Sequence, residues 1–352
     1  MQNSKMIENI HNTIDSIEKI IVSKDSSGLA WDLRVNTCYG MFHILNAPRF
    51  KLEPVNLDDV LTKLIEIKNQ LDSANELIST ENIKIFDPSN DPDETSRRQQ
   101  YLYGIAWAKL NHSEYYDAAN LLKSRMVNSN IDISFINDAT CLDMATGIAR
   151  WAVALVQLGA KKVVATDYSK ECLEGAKQRL TGSKESQSIE LKWADIYDMP
   201  KDMYEAFDFV VANGVIHHLP DPKGGLESMA NCTKKNGRGF TFVFSKNDTP
   251  WWACIESMRR LLAPVPIEYA NKILRFYNTP GGMAFNVLDY GYTPIQFKLE
   301  KEWFEDSLSD VGFKKIQYLE GGSIHDSNLR NKLFDTDKVL YGISEMRYLV
   351  QK

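Results

Sequence analysis

The stretch TCLDMATGIARWAVALVQLGAKKVVATD, Thr140 to Asp167, decides the fold. Apolar runs at 140–144 and 162–167 flank a segment with helical spacing at about 148–159, which reads as a strand, a crossover helix and a second strand parallel to the first. Asp143 ends the first strand. Gly147 lets the backbone turn tightly, and the small Ala145 and Ala149 let a ligand and the following helix approach closely. Amide groups at the start of that helix favour an anionic ligand group such as a carboxylate or phosphate. Asp167, at the end of the second strand, can accept hydrogen bonds from ribose hydroxyls, and it can equally cap the helix that begins near Ser169.

Outward from this unit the pattern repeats. Strands are expected at 189–194, 207–212 and 238–244, with helices at about 170–180 and 223–233, while the link between the third and fourth strands is too polar to assign. The sum is an α/β doubly wound sheet. A segment from Asn247 to Lys298 interrupts it, with Trp251, Trp252, helices to about Phe276 and the Gly-rich turn TPGGM. Insertions at strand carboxyl ends often cover a site, so 247–298 reads as a helical lid insertion. The sheet then resumes with a helix at 301–311 and strands at 313–319 and 343–350. Residues 1–130 have helical spacing throughout, clearest where Asn56 can cap a helix bearing Val60, Leu61, Leu64, Ile67, Leu71, Ala74 and Ile78. The string FDPSNDPDETS at 86–96 reads as a loop, and helix resumes from Arg97 to about Met126. The expected organisation is an all-helical subdomain over 1–130 and a nucleoside-binding domain over 131–352.

The balance of 41 basic against 47 acidic residues, a formal charge of -6, gives no electrostatic footprint for nucleic acid or an anionic membrane. No run approaches the length that spans a bilayer, so a cytoplasmic location without a membrane partner is the expectation. Cys38, Cys141, Cys172, Cys232 and Cys254 are scattered and form no Cys-x-x-Cys pair, which suggests neither a disulfide framework nor a metal site.

Two later motifs narrow the ligand. Trp193-Ala194-Asp195-Ile196 ends the third strand, where Asp195 can bond an adenine amino group and Ile196 can pack on its ring. The fourth strand runs FDFVVANGVIHHLPDP, residues 207–222, and opens through Asn213-Gly214 into His217, His218 and a Pro-Asp-Pro loop. In this order the motifs resemble the class I S-adenosylmethionine-dependent methyltransferase superfamily, most specifically in the His-His-Leu-Pro-Asp-Pro segment, over about 135–245 and through the strands at 313–350. The resemblance implies a mostly parallel seven-stranded sheet with an antiparallel last strand and S-adenosyl-L-methionine as cofactor. It places Asp143, Ala145, Thr146 and Gly147 against the methionine part, Asp167 with its neighbour Tyr168 at the ribose, Asp195 and Ile196 at the adenine, and Asn213 near the sulfonium. The family pattern has glycine at 145 and 149; alanine there is a small departure where φ is negative.

Methyl transfer is an in-line displacement in which few residues need react, but an acceptor that loses a proton needs a base. His218, and after it His217, are the catalytic candidates, since an imidazole titrates in the right range. The expected acceptor is a small molecule or natural-product intermediate, including a peptide. The helical part either shapes the acceptor pocket, with Tyr101, Tyr103, Trp107, Tyr115 and Tyr116, or pairs two chains in a homodimer. A nicotinamide oxidoreductase is the enzymatic alternative, and a non-catalytic nucleoside-binding or regulatory protein on the same fold is the other.

Overall fold

A computed structural model of the chain describes residues 2–22, 29–74, 97–98, 101–102, 115–276 and 279–352. Ile78, the loop expected at 86–96, the middle of the helix expected from 97 to 126, Tyr103 and Trp107 lie outside the described residues. In chain order α1 (Gln2–Val22), α2 (Leu29–Asn46), α3 (Leu57–Ala74) and α4 (Ala118–Val127) precede β1 (Thr140–Met144). Then come α5 (Arg150–Gln157), β2 (Lys162–Asp167), α6 (Lys170–Leu180), β3 (Ile189–Trp193), β4 (Phe207–Asn213), α7 (Pro222–Cys232) and β5 (Thr233–Phe244). Helices α8 (Pro250–Leu262), α9 (Ile267–Phe276) and α10 (Gly281–Tyr292) follow, and α11 (Lys301–Asp310), β6 (Lys315–Tyr318), α12 (Ser327–Leu333), α13 (Asp335–Tyr341) and β7 (Glu345–Gln351) complete the chain.

The strands form one seven-stranded sheet in the order β3-β2-β1-β4-β5-β7-β6, in which β1 to β5 are parallel and β7 runs antiparallel to β5 and β6. Its central strands are buried on both faces, which is why they read as continuous apolar runs rather than as an alternating pattern. Cys141, Phe209, Val211 and Phe240 enter one core with α5, while Leu142, Met144, Val210 and Ala212 enter the other with α7 and α11. The order reverses between β1 and β4, with Asp143 in register with Val211. The carboxyl ends of β1 and β4 therefore flank a crevice at the switch point, where open α/β sheets bind ligands.

The chain divides into two compact units, and the division differs from the one expected at residue 130. The sheet unit comprises 99–246, 295–323 and 345–352; the helical unit comprises 1–98, 247–294 and 324–344. The insertion expected as a lid thus contributes its 247–294 portion to the helical unit. Within that unit Asn56 caps α3 as the sequence suggests, its Oδ1 accepting from the Asp59 amide at 3.1 Å. Trp251 and Trp252 are core residues there. Arg49 stacks its guanidinium 5.3 Å from both the Trp251 and Tyr341 rings, and fully buried Arg330 pairs with Asp337 while donating to the Lys51 and Glu53 carbonyls. The TPGGM stretch is not a free turn: Pro280 precedes the first turn of α10, and burial of Ala284, Phe285, Val287 and Leu288 outweighs the poor helical propensity of the two glycines. Farther along α10, a side chain at Gly291 would stand 2.5 Å from Leu262, so glycine is what allows α10 to lie against α8.

Candidate active site

The loop after β1 is built from three residues in the left-handed region: Ala145 at φ 51°, Gly147 at 57° and Ala149 at 63°. Negative φ, the condition under which alanine would be a small departure at these positions, is therefore not met at either one. Two contacts hold the loop in this shape. The Thr146 amide donates to the Thr166 carbonyl at 2.7 Å, and the Thr146 hydroxyl donates to the buried Asp143 carboxylate. Among the described residues, its chain neighbours apart, no atom lies within 4 Å of where a Cβ on Gly147 would stand, so they leave this face of the loop an open cradle.

Asp167 is 8% exposed and ties the ends of β1 and β2 together. Its Oδ2 accepts from the Gly147 amide at 2.8 Å, and its Oδ1 from the Ser169 amide at 2.9 Å. A carboxylate has about four acceptor positions, so capacity remains for a diol. Capping of α6 falls to the Ser169 hydroxyl, which accepts from the Cys172 amide. Burial pushes the Asp143 carboxyl up to about 7 and that of Asp167 to about 6, against the lowering effect of their hydrogen bonds. Two acids beside one ligand loop thus sit close to protonation.

At the next strand end the Trp193 indole donates to the Tyr168 carbonyl at 2.7 Å, and both rings are about half exposed. Asp195 follows, its Oδ1 accepting from the Tyr197 amide at 2.9 Å. Asn213 ends β4 with its side-chain Oδ1 buried and without a hydrogen-bond partner. A buried acceptor in that state costs about 1 to 3 kcal/mol unless a ligand supplies the donor.

The two histidines have different surroundings. His217 is fully buried, its ring 4.1 Å from that of Phe244 and 5.6 Å from that of Phe242, and burial holds its pKa well below the usual imidazole range. His217 is neutral packing in this state. His218 is half-buried with Nδ1 2.7 Å from the Ile295 carbonyl, which can only accept, so Nδ1 carries a proton and, in the neutral ring, Nε2 is the basic nitrogen. The same segment is fastened a second time by the Phe297 amide donating to the His217 carbonyl at 2.8 Å. Neither Ile295 nor Tyr197 stood out in the sequence, because a backbone acceptor and a tyrosine in a polar link carry no motif.

The structure brings Asp143, Thr146, Gly147 and Asp167 into one bonded loop pair. The open cradle at Gly147, the remaining acceptor capacity of Asp167 and the orphaned Oδ1 of Asn213 fit a ligand carrying a charged head, a ribose and a cationic centre. Among the described residues no group of histidine, cysteine or acidic side chains could hold a metal ion, all five cysteines are free and buried, and no helix is long and apolar enough to cross a membrane.

Residues 142–241 match the methyltransferase domain family. Over 109 residues the chain is 33% identical to a demethylmenaquinone methyltransferase of Clavibacter sepedonicus, covering 31% of this chain and 42% of that protein. It is 26% identical over 191 residues to a ubiquinone/menaquinone biosynthesis C-methyltransferase of Geotalea daltonii, covering 53% and 75%. A ubiquinone biosynthesis O-methyltransferase of Xanthomonas oryzae pv. oryzae is 26% identical over 157 residues, covering 45% and 59%. The chain thus spans between two fifths and three quarters of these relatives. The family match selects the methyl donor over a nicotinamide as the nucleoside ligand. By its matched residues and its sheet order, the sheet unit carries a methyltransferase domain of the class I S-adenosylmethionine-dependent kind.

Proposed function

We propose that the chain methylates a small molecule whose acceptor atom gives up a proton, a hydroxyl or an activated ring carbon of a biosynthetic intermediate. The observation that carries this reading is His218: the Ile295 carbonyl holds a proton on Nδ1, so in the neutral ring Nε2 is the nitrogen that takes up a proton. A thioether or carboxylate acceptor would have no use for one. The relatives' names, which span O- and C-methylation in quinone biosynthesis, support an acceptor of this kind, since both reactions remove a proton.

S-adenosylmethionine, when bound, supplies an electrophilic methyl on a positively charged sulfur. Asp167 would hold the ribose diol, Asp195 and Ile196 the adenine, and the loop from Asp143 to Gly147, with its open side at Gly147, the amino-acid end. Asn213 Oδ1 would meet the cationic centre. His218 Nε2 would take the proton that the acceptor gives up on methylation. Buried His217 keeps the loop against Phe242 and Phe244 and thereby sets where His218 stands.

Calorimetry with S-adenosylmethionine and NAD, then transfer of labelled methyl to a panel of hydroxylated aromatics and to thiol and carboxylate controls, tests the proposal. His218→Ala is expected to lower turnover at least a hundredfold with cofactor affinity unchanged. Binding of NAD in place of S-adenosylmethionine, or wild-type turnover in the variant, would refute it.

A further inference from the structure

Tyr197 lies in the link between β3 and β4, and its phenol is bonded to the backbone of a single residue 24 positions away. The hydroxyl accepts from the Asp221 amide at 2.9 Å and donates to the Asp221 carbonyl at 3.1 Å. At its other end the Tyr197 amide donates to Asp195 Oδ1, and the turn is closed by the Asp198 amide on the Asp195 carbonyl at 3.0 Å. Asp221 in turn begins α7, its side chain accepting from the Gly224 amide at 3.1 Å. The packing leaves no slack: a Cβ on Gly224 would stand 2.5 Å from Asp221 Oδ2 and 3.3 Å from the Tyr197 ring. A half-exposed tyrosine thus spends both hydrogen-bonding capacities of its hydroxyl on the backbone of another loop, although water could satisfy them equally well.

We propose that Tyr197 is a positioning residue whose hydroxyl latches the loop after β3 to the loop after β4. The inference rests on the reading above, in which Asp195 and Ile196 meet the adenine and His218 meets the acceptor. Tyr197 joins the two. Asp195 is bonded to the Tyr197 amide, the Tyr197 phenol to Asp221, and Asp221 stands three residues beyond His218 on the same short loop. Seating the adenine at Asp195 orders the Tyr197 turn, and the latch passes that order to the segment carrying the base. The Asp195–Tyr197 and Tyr197–Asp221 stages are direct hydrogen bonds and the last, from Asp221 to His218, is three residues of chain, so the coupling has a material path that loss of one oxygen interrupts.

Hydrogen exchange on the full chain, with and without S-adenosylhomocysteine, tests this on wild type and Tyr197→Phe, which keeps the ring and deletes only the oxygen. Without ligand, the Asp221 amide is expected to exchange at least tenfold faster in the variant, and an unchanged rate would overturn the latch itself. With ligand, wild type is expected to gain protection at both 194–198 and 216–224. The variant should gain it at 194–198 alone. Equal ligand-induced protection of 216–224 in both proteins would overturn the coupling. A wild type that gains protection nowhere overturns the methyl-donor reading, a failure distinct from the other two. Gly224→Ala, which crowds Asp221 and the Tyr197 ring while keeping the phenol oxygen, is expected to reproduce the loss at 216–224, and full retention there would count against the proposal.

Discussion

Two alanines in the same backbone region should respond oppositely to replacement by glycine. Ala145 and Ala149 have φ of 51° and 63°, where a Cβ costs an L-residue about 1 to 2 kcal/mol. Ala→Gly removes that strain but adds about 0.5 to 1 kcal/mol of unfolded-chain entropy. Ala145 is exposed, so its methyl contributes little by burial, and Ala145→Gly is expected to stabilise the protein by about 0.5 to 1 kcal/mol. The Ala149 methyl is fully buried against the core beneath α5; losing it forfeits about 0.8 kcal/mol of transfer free energy and adds a cavity term. Ala149→Gly is then expected to be neutral or to destabilise by about 1 kcal/mol, so the variants should differ by about 0.5 to 2 kcal/mol. Urea titration followed by circular dichroism measures this if the slopes agree with wild type, because a midpoint shift at constant slope is a stability change. Destabilisation by Ala145→Gly, or equal effects of the two, would show that the loop carries no strain at these positions.

Other outcomes follow from the same site. Asp167→Ala removes the ribose acceptor and unties Gly147 from β2, and is expected to weaken S-adenosylhomocysteine binding by about 1.5 to 3 kcal/mol, the worth of bonds to a charged group, as read by calorimetry. With its folded pKa raised to about 6, Asp167 loses charge as pH falls below that value, so S-adenosylhomocysteine affinity should fall between pH 6.5 and 5 in wild type and stay flat in Asp167→Asn. The same rise makes Asp143 and Asp167 destabilise the free protein progressively as pH climbs from about 4 to about 7, because the unfolded chain gives up those protons first. His217 works in the other direction: its depressed pKa means the unfolded state takes up a proton that the folded state refuses, so stability is lost as pH falls through about 6.5. His217→Leu should therefore melt with a shallower acid dependence below pH 6.5, and an unchanged slope in thermal scans would show that the imidazole is charged in the folded protein.

The bounds of β1, β2 and α6 could be read from the chain because a strand buried on both faces must be apolar at every position, and because Ser169 marks its helix start locally. The spaced set Asp143, Gly147, Asp167, Asp195 and Asn213 was legible for a related reason: each residue closes or follows a strand, so its place in the sheet follows from the strand pattern. The first half of β5 was not, since Thr233 to Arg238 is polar and pairs with β4 across a register shift at Phe207 and Phe209. Nor were α12 and α13, whose short segments owe their helical form to burial of Arg330, Asp337 and Tyr341.

Sequence by itself determined the order of the strands along the chain and the residue types at their ends, because those depend on local periodicity and on spacing. Only the tertiary structure decided the sign of φ at Ala145 and Ala149, the grouping of 247–294 and 324–344 with the first helices, and the difference between His217 and His218. Adjacent residues of one type carry the same local information. A carbonyl at Ile295 and two phenylalanines on β5 give one of them a fixed tautomer and the other a dry, neutral place, and such contacts between distant segments leave no trace in the order of the residues.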